Sequence, residues 1–383
     1  MSRPSATTRI VQRNLRRIRE RAGLTPAALE ERLILGPGWI EHYENGEAAP
    51  TIDILMAILG QTGATLSDLL NDVPTHQDAH GLDRFLTAEQ KNDDLILSFH
   101  YSLYDAEYTL EGCTLDEFDE VLRVLRGTLS RASEVDAGTD KAVKREAVAG
   151  AFLKAVELWP HINPSDIWYF VIYRAYCDPY NHPANYARQD LAQSWKRTGG
   201  WALEEVLVRH YAPTLERMGI KLFIADLETR RTLLAGVDTP RRMEADKVDV
   251  VLCGEESGPH KFFGVVHVKS SFAERRSDDV PMSEALGQAG YTSPLWTMDC
   301  KSTPSARPFN RGELGRAQKR RSAKRKDIED DGLFTGCFSY NKNTAPSNPG
   351  LPPARRIHVC DFKDPDDAFS RFIVERWQEF RSG

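Results

Sequence analysis

Two short apolar runs in the second half of the chain, VDVVLCG and FFGVVHVK, constrain its fold most strongly. Both are rich in valine and phenylalanine, and a segment of glycine, proline and charged residues separates them, so they predict a hairpin of two buried strands. Asp249 lies near the start of the first run, and Lys269 ends the second run. Because an unpaired charge in an apolar strand is costly, we expect both residues to have partners or a function.

Four similar runs flank this hairpin. KLFIAD precedes it, and LWTMDC, FTGCFSY and RIHVCDF follow it. Helical patterns surround the runs, including DIWYFVIYRAY and WKRTGGWALEEVLVRHY before them and PDDAFSRFIVERWQEF at the end. Strand runs mixed with helices predict an α/β or α+β domain over residues 165–383.

Residues 1–75 carry short helical patterns joined by tight turns. In LTPAALEERL, Thr25 is suited to cap a helix and Pro26 to begin it. WIEHYENGEAAP and IDILMAILGQTGATLSDLL follow. Together these segments resemble the XRE-type helix-turn-helix domain of phage repressors, which implies an all-α domain.

The residues of this domain that would contact DNA offer few hydrogen-bond donors. In the resembled family, residues just before and within the third helix contact base edges in the major groove. The same segment has eight arginines and nine acidic residues, so it is not basic overall. DNA reading and a docking or dimerisation role therefore both stay open. The positions concerned are Gly36, Pro37, Gly38, Glu41 and His42.

Residues 76–164 are expected to form a linker and a helical connector. The linker begins with PTHQDAHGLD, and the stretch up to residue 112 shows no clear period. From Thr114 to Trp159 the pattern is helical, with one apolar stripe that contains Phe118, Val121 and Leu122.

Composition excludes several classes of protein. The net charge of −6 argues against non-specific coating of nucleic acid, although a local basic cleft is still compatible with it. Six scattered cysteines without a CxxC pair argue against a zinc ribbon or a disulfide framework and suit a cytoplasmic location. No run is long enough to predict a membrane span, and no GxxxxGK[ST] motif indicates nucleotide hydrolysis.

The VDVV…VVHVK pattern resembles the PD-(D/E)XK type II restriction endonucleases, in particular the BsaWI-like branch of the CCGG-cutting group. The resemblance implies a mixed sheet flanked by helices, a Mg²⁺ cofactor and cleavage of both strands of double-stranded DNA. The expected target is a short palindrome with a CCGG or related GC core. Asp249 would bind the metal, and Lys269 would position the attacking water.

The second metal ligand is less clear from the pattern. The family often has an acid two residues before the lysine, but that position is His267, which we interpret as a packed core residue. In the CCGG group a carboxylate on the following helix replaces it. Glu284 is the expected ligand, with Asp279 and Asp278 as alternatives.

Three further acids are candidates for the predicted site. The leading proline of the motif is absent, so Asp246 would replace Asp249 if the strand register were shifted. The segment WKRTGGWALEEVLVRHY resembles the helix that brings a glutamate to the metal in this family. Glu204 is the catalytic candidate there, with Glu205 as the alternative.

DNA contacts are expected from two segments. Glu274, Arg275 and Arg276 occupy the positions at which the CCGG group reads its core, where arginine pairs with guanine and a carboxylate accepts from cytosine. A basic segment further on predicts phosphate contacts from Arg311, Arg320 and Arg321. The alternative for both segments is an ordinary solvated helix face.

A palindromic target implies two-fold symmetry, so we expect a homodimer or higher oligomer. It also implies a DNA methyltransferase in the same system that protects the host sequence. Two other functions stay open at this point. One is a helix-turn-helix transcriptional regulator with a C-terminal ligand- or partner-binding domain, and the other is a repair or homing-type nuclease.

Overall fold

The computed structural model describes residues 6–64, 69, 85–101, 104–131, 137–183, 190–239, 243–255, 260–271, 276–301, 307–317 and 320–382. The chain divides into two units. One comprises residues 1–88 and 96–109, and the other comprises residues 89–95 and 110–383. The boundaries predicted near residues 75 and 164 stay predictions.

The N-terminal segment forms short helices, as its sequence predicts. Thr25 caps the second helix by accepting a hydrogen bond from the amide of Ala28, and Gly46 ends the third in a left-handed conformation. Their apolar faces bury Leu15, Leu29 and Ile40 in one cluster. The helices are α1 (Ala6–Arg21), α2 (Pro26–Leu33), α3 (Trp39–Asn45) and α4 (Ile52–Thr62).

The stretch without a clear period forms a three-stranded sheet of β1 (Leu86–Lys91), β2 (Asp94–Tyr101) and β3 (Tyr104–Leu110). The connector helices follow as α5 (Leu115–Leu129) and α6 (Ala137–Leu158). The predicted stripe of α5 is buried, and α6 packs against both α5 and a long later helix, α9 (Leu191–Glu216).

The remaining helices surround the second sheet. A short π-helical segment, Ile167–Ile172, joins α7 to α8. The helices are α7 (Pro164–Asp166), α8 (Tyr173–Cys177), α10 (Leu227–Ala235), α11 (Arg276–Gln288), α12 (Ala323–Glu329) and α13 (Ala368–Ser382).

All six predicted strand runs belong to one sheet, whose order is β4-β5-β6-β7-β8-β9. The pairs β4/β5 and β5/β6 are antiparallel, whereas β6/β7, β7/β8 and β8/β9 are parallel. The sheet is therefore mixed, and the predicted α/β fold is confirmed. Its strands are β4 (Ile220–Phe223), β5 (Val250–Gly254), β6 (Lys261–Lys269), β7 (Leu295–Thr297), β8 (Cys337–Ser339) and β9 (Ile357–Val359).

The register of the β5/β6 hairpin determines which ends meet. Val250 lies opposite Val266, so the residue before β5 adjoins the end of β6. On the other side of β6, Gly264 permits a close approach of the backbone at Thr292, because a Cβ on Gly264 would lie 2.0 Å from the Thr292 carbonyl oxygen. This approach brings the segment that leads into β7 directly beside the end of β6.

No helix in the described ranges combines the length and the apolar character needed to cross a bilayer.

Candidate active site

Asp249 and Lys269 meet at one end of the β5/β6 strand pair, inside the mixed sheet. The Lys269 Nζ lies 2.6 Å from Asp249 Oδ2, and the same oxygen accepts a hydrogen bond of 2.8 Å from the amide of Val268. Both side chains are largely buried. The alternative acid Asp246 lies in an exposed turn instead, so the structure brings Asp249 to the lysine.

Helix α11 adds a second carboxylate to this pair. Asp279 Oδ2 lies 3.4 Å from Lys269 Nζ, and the residue is only 5% exposed. Burial alone would raise the pKa of Asp279, but the adjacent His267 and Lys269 outweigh it and lower the pKa below its usual range. Asp279 is therefore held as a carboxylate beside Asp249.

Glu284 does not join this group. It lies five residues after Asp279 on the same helix, which turns it about 140° away at 3.6 residues per turn. Ser283, four residues after Asp279, shares the face of that aspartate and donates a hydrogen bond to the carbonyl of Ser293. The structure thus brings the alternative Asp279 to the lysine in place of the expected Glu284. The side chain of Asp278 lies outside the described residues.

His267 is a packed residue, as interpreted from the sequence, but its ring also faces the acids. It is fully buried and lies edge-on to Phe334. Among the described residues, ligand atoms of Asp249, His267 and Asp279 form one group in which all lie within 4.8 Å of one another. Sequence reasoning did not place His267 beside these acids, because alternation along an apolar strand does not reveal what a histidine faces.

The charges of the same site shift the pKa of Glu204, which lies on helix α9. Its burial, followed by the negative charge of Asp249, raises the pKa of Glu204 to about 8, although Lys269 and two further cations oppose the shift. Glu205 has other partners, since it accepts from Arg209 at 2.7 Å and lies 3.2 Å from Arg145. Of the two predicted alternatives, Glu204 therefore couples to the site.

We expect Glu204→Gln to stabilise the metal-free protein at alkaline pH. The folded pKa of Glu204 is raised above its ordinary value of 4.5, so its ionisation opposes folding increasingly between pH 4.5 and about 8. Glutamine removes this penalty. Thermal unfolding in EDTA should show a midpoint a few degrees above that of the wild type at about pH 9 and no difference below about pH 4.

Glu205→Gln is the matched control because it changes the neighbouring residue and removes ion pairs instead of a buried repulsion. A pH-independent effect of Glu204→Gln, or an equal gain from Glu205→Gln, would contradict the raised pKa.

The predicted basic segment divides into exposed and internally bonded arginines. Arg311 and Arg320 are exposed. Arg321 donates two hydrogen bonds of 2.8 and 2.7 Å to Asp330, so much of its charge is already compensated. Arg325 is fully buried, where it donates to Glu329 at 2.7 Å and to backbone carbonyls, including that of Leu314.

We expect Arg325→Met to destabilise the fold by about 3–5 kcal/mol, because removal of one partner leaves the buried carboxylate of Glu329 uncompensated. Chemical denaturation measures the loss. Lys326→Met on the next, exposed residue of α12 is the control and should change the free energy of unfolding by less than about 0.5 kcal/mol. Equal effects from both variants would contradict the structural role of Arg325.

Of the three residues expected to read bases, the structure describes only the backbone of Arg276. Glu274 and Arg275 lie outside the described residues. Arg276 begins helix α11, but its side chain also lies outside them. Their segment connects the end of β6 to α11, and these two elements carry Lys269 and Asp279. The role of all three in base reading stays a prediction.

Comparison with known proteins resolves the family. Residues 13–69 match a helix-turn-helix domain family, which confirms the N-terminal prediction. The type II restriction enzyme AgeI from Thalassovita gelatinovora is 40% identical over 242 residues, which cover 61% of this chain and 84% of that enzyme. The chain belongs to the AgeI family of type II restriction enzymes. The predicted nuclease family is confirmed, and a transcriptional regulator with a C-terminal ligand-binding domain is not retained.

Solved structures agree with membership of the AgeI family. A crystal structure of a specific AgeI–DNA complex matches with a TM-score of 0.64 and 33% identity, covering 73% of this chain and 99% of that chain. A BsaWI–DNA complex matches at 14% identity with a TM-score of 0.35, over 69% of this chain and 94% of that chain, which is too weak to support an argument. The AgeI match supports the same α/β architecture for the part of the chain that it covers.

Proposed function

We propose that this type II restriction endonuclease uses Mg²⁺ to cut both strands of double-stranded DNA at a short palindromic site with a CCGG or related GC core. The observation that carries the proposal is the position of Lys269 Nζ, which lies 2.6 Å from Asp249 and 3.4 Å from Asp279 at the end of β6. Two carboxylates and an ammonium group at one point are the groups that phosphodiester hydrolysis needs.

The donor set of this site fits Mg²⁺. The ion prefers carboxylate oxygens, and Asp249 and Asp279 offer them within reach of each other, with Glu204 close enough to respond to their charge. We assign Asp249 and Asp279 as metal ligands and leave Glu284, the ligand expected from spacing, out of the proposed site. When bound, the ion lowers the pKa of water and neutralises charge on the phosphate.

The protein groups have separate tasks. The Lys269 side chain, whose Nζ lies 2.6 Å from Asp249 Oδ2, orients the attacking water and offsets charge that develops on the phosphate. The amide of Val268 fixes the orientation of Asp249 by donating to Oδ2. Glu204, whose pKa is raised to about 8 by burial and by the charge of Asp249, adds less negative charge beside Asp249 at neutral pH than an ordinary glutamate.

DNA recognition is assigned to the segment after β6 and to the basic segment before α12. We propose that Glu274, Arg275 and Arg276 read the GC core and that the exposed Arg311 and Arg320 contact phosphates. Arg321 contributes less because Asp330 already binds it. The crystallisation of the related AgeI with DNA supports double-stranded DNA as the substrate.

The palindromic target requires two copies of this site related by two-fold symmetry, so the active species is proposed to be a homodimer or higher oligomer. A DNA methyltransferase of the same system would protect host DNA. The helix-turn-helix domain is proposed either to read DNA or to serve in docking or dimerisation.

Sequencing the ends of cleaved DNA tests the proposed function. Genomic DNA is incubated with the full-length protein, with and without Mg²⁺, and the termini are mapped. We expect termini at a single palindromic sequence that contains CCGG or a related GC core, in the Mg²⁺ reaction only. Randomly placed termini or cleavage confined to flaps would instead indicate a nuclease with structural specificity, and cleavage in EDTA would exclude metal dependence.

A further inference from the structure

His267 lies on β6 two residues before Lys269, and one of its ring nitrogens is firmly held. Nε2 lies 2.9 Å from the hydroxyl of Ser293. Ser293 is itself fixed, because its amide donates to the Thr335 hydroxyl at 2.7 Å and its carbonyl accepts from Ser283. The imidazole therefore has a set orientation within the sheet.

The other ring nitrogen has no hydrogen bond. Nδ1 of His267 is completely buried, and it has no hydrogen-bond partner among the described residues. Its nearest acid is Asp279, whose Oδ1 lies 3.6 Å away, which is beyond hydrogen-bond distance. Buried polar atoms without partners are rare, so this atom needs an explanation.

A cation bound between His267, Asp249 and Asp279 would explain this nitrogen. In one tautomer Nδ1–H faces Asp279, which is the arrangement that lowers the pKa of that acid; in the other, Nε2–H donates to the Ser293 hydroxyl and Nδ1 carries a lone pair 3.6 Å from Asp279 Oδ1. The Lys269 ammonium already contacts Asp249 and Asp279, whereas Nδ1 has no hydrogen-bond partner among the described residues. A metal ion bound to both carboxylates would also bind this lone pair.

We propose that Nδ1 of His267 is a ligand of the catalytic metal and that the site therefore binds Mn²⁺ more tightly than Mg²⁺. The inference rests on the proposed function, which assigns the metal to Asp249 and Asp279. Imidazole nitrogen suits transition metals, whereas Mg²⁺ prefers oxygen donors. The tautomer that binds metal is the one whose Nε2–H donates to the Ser293 hydroxyl.

Electron paramagnetic resonance of Mn²⁺ bound to the full-length protein tests this proposal. Electron spin echo spectra of the wild type are expected to show modulation from a directly bound ¹⁴N nucleus. The modulation should change to that of ¹⁵N when the protein is labelled with ¹⁵N-histidine, which requires no variant. Competition should show that the preference of the wild type for Mn²⁺ over Mg²⁺ exceeds that of His267→Gln by about tenfold.

Two variants identify the nitrogen. In His267→Gln the side-chain amide retains a bond to Ser293 but has no atom in place of Nδ1, so ¹⁴N modulation should disappear and Mn²⁺ affinity should fall by about tenfold or more. Thermal unfolding verifies that the variant is folded. His260→Gln, at an exposed position just before β6, is the control and should keep the modulation.

The failure of this inference is distinguishable from the failure of the proposed function. Absence of ¹⁴N modulation in the wild type, or its persistence in His267→Gln, would overturn His267 as a ligand. The carboxylate site would still stand if Asp279→Asn weakened Mn²⁺ binding. If Asp279→Asn left Mn²⁺ binding unchanged, the metal assignment of the proposed function would fall as well.

Discussion

Replacing Lys269 with alanine is expected to lower the rate of DNA cleavage by about 100- to 1000-fold or more, the range for loss of one positioned group that stabilises transition-state charge. The ammonium lies 2.6 Å from Asp249 at the end of β6, where the scissile DNA phosphate is proposed to bind. DNA binding should remain close to that of the wild type, because base reading and phosphate contacts are assigned to other residues. Single-turnover cleavage and binding without divalent ions measure the two effects separately.

Lys261→Ala provides the matched control for this variant. Lys261 lies at the other end of the same strand, and it is exposed and packs over the ring of Phe380. Its replacement removes the same charge from β6 without touching the cleavage site. Unchanged cleavage by Lys269→Ala, or an equal loss in both variants, would contradict the role of Lys269.

The second large effect is expected from Asp279→Asn, which should reduce cleavage by at least about 100-fold and weaken Mg²⁺ binding, whereas Glu284→Gln should do neither. Asp279 lies 3.4 Å from Lys269 Nζ, and helix geometry directs Glu284 away from that point. Both substitutions replace a carboxylate by an amide on the same helix, so they compare the two positions directly. Isothermal titration of the metal and single-turnover kinetics measure the outcome.

The reverse pattern, with cleavage lost in Glu284→Gln and retained in Asp279→Asn, would show that the helix binds metal through a different face. In that case the contacts of Asp279 with Lys269 and His267 would be structural.

The hairpin was the most predictable part of this molecule. Apolar runs of five to nine residues bounded by turn residues indicate strands directly, and all six of the predicted runs lie in the mixed sheet. In an antiparallel pair the start of one strand adjoins the end of the next. The meeting of Asp249 and Lys269 therefore follows from the order of residues alone.

The second carboxylate was less predictable because its choice depends on where helix α11 begins and how it turns. A shift of one residue rotates a helix by about 100°, so counting residues after Lys269 does not separate Asp279 from Glu284. The structure shows that the spacing of two residues on this helix is informative, although the sequence alone did not single it out. Asp279 and Ser283 are four residues apart on one face, and both point toward the segment beside β6.

Two other features were missed from the sequence. The strands β1–β3 were not predicted, although Leu95, Leu97 and Phe99 are buried at every second position along β2, which is the period expected of a strand. Arg325 lies in a run of positive charges that reads as a surface, yet it is buried against Glu329 and several carbonyls. Sequence reports the charge of a residue, but its partners depend on segments that lie far along the chain.

Anomalous diffraction from crystals of the protein with its DNA site and Mn²⁺ tests most directly whether Asp249 and Asp279 hold a metal beside Lys269. We expect an anomalous peak in contact with carboxylate oxygens of both aspartates and next to a DNA phosphate. A peak bound elsewhere on the protein, or a cleavage-competent complex with no ion between these two residues, would contradict this assignment.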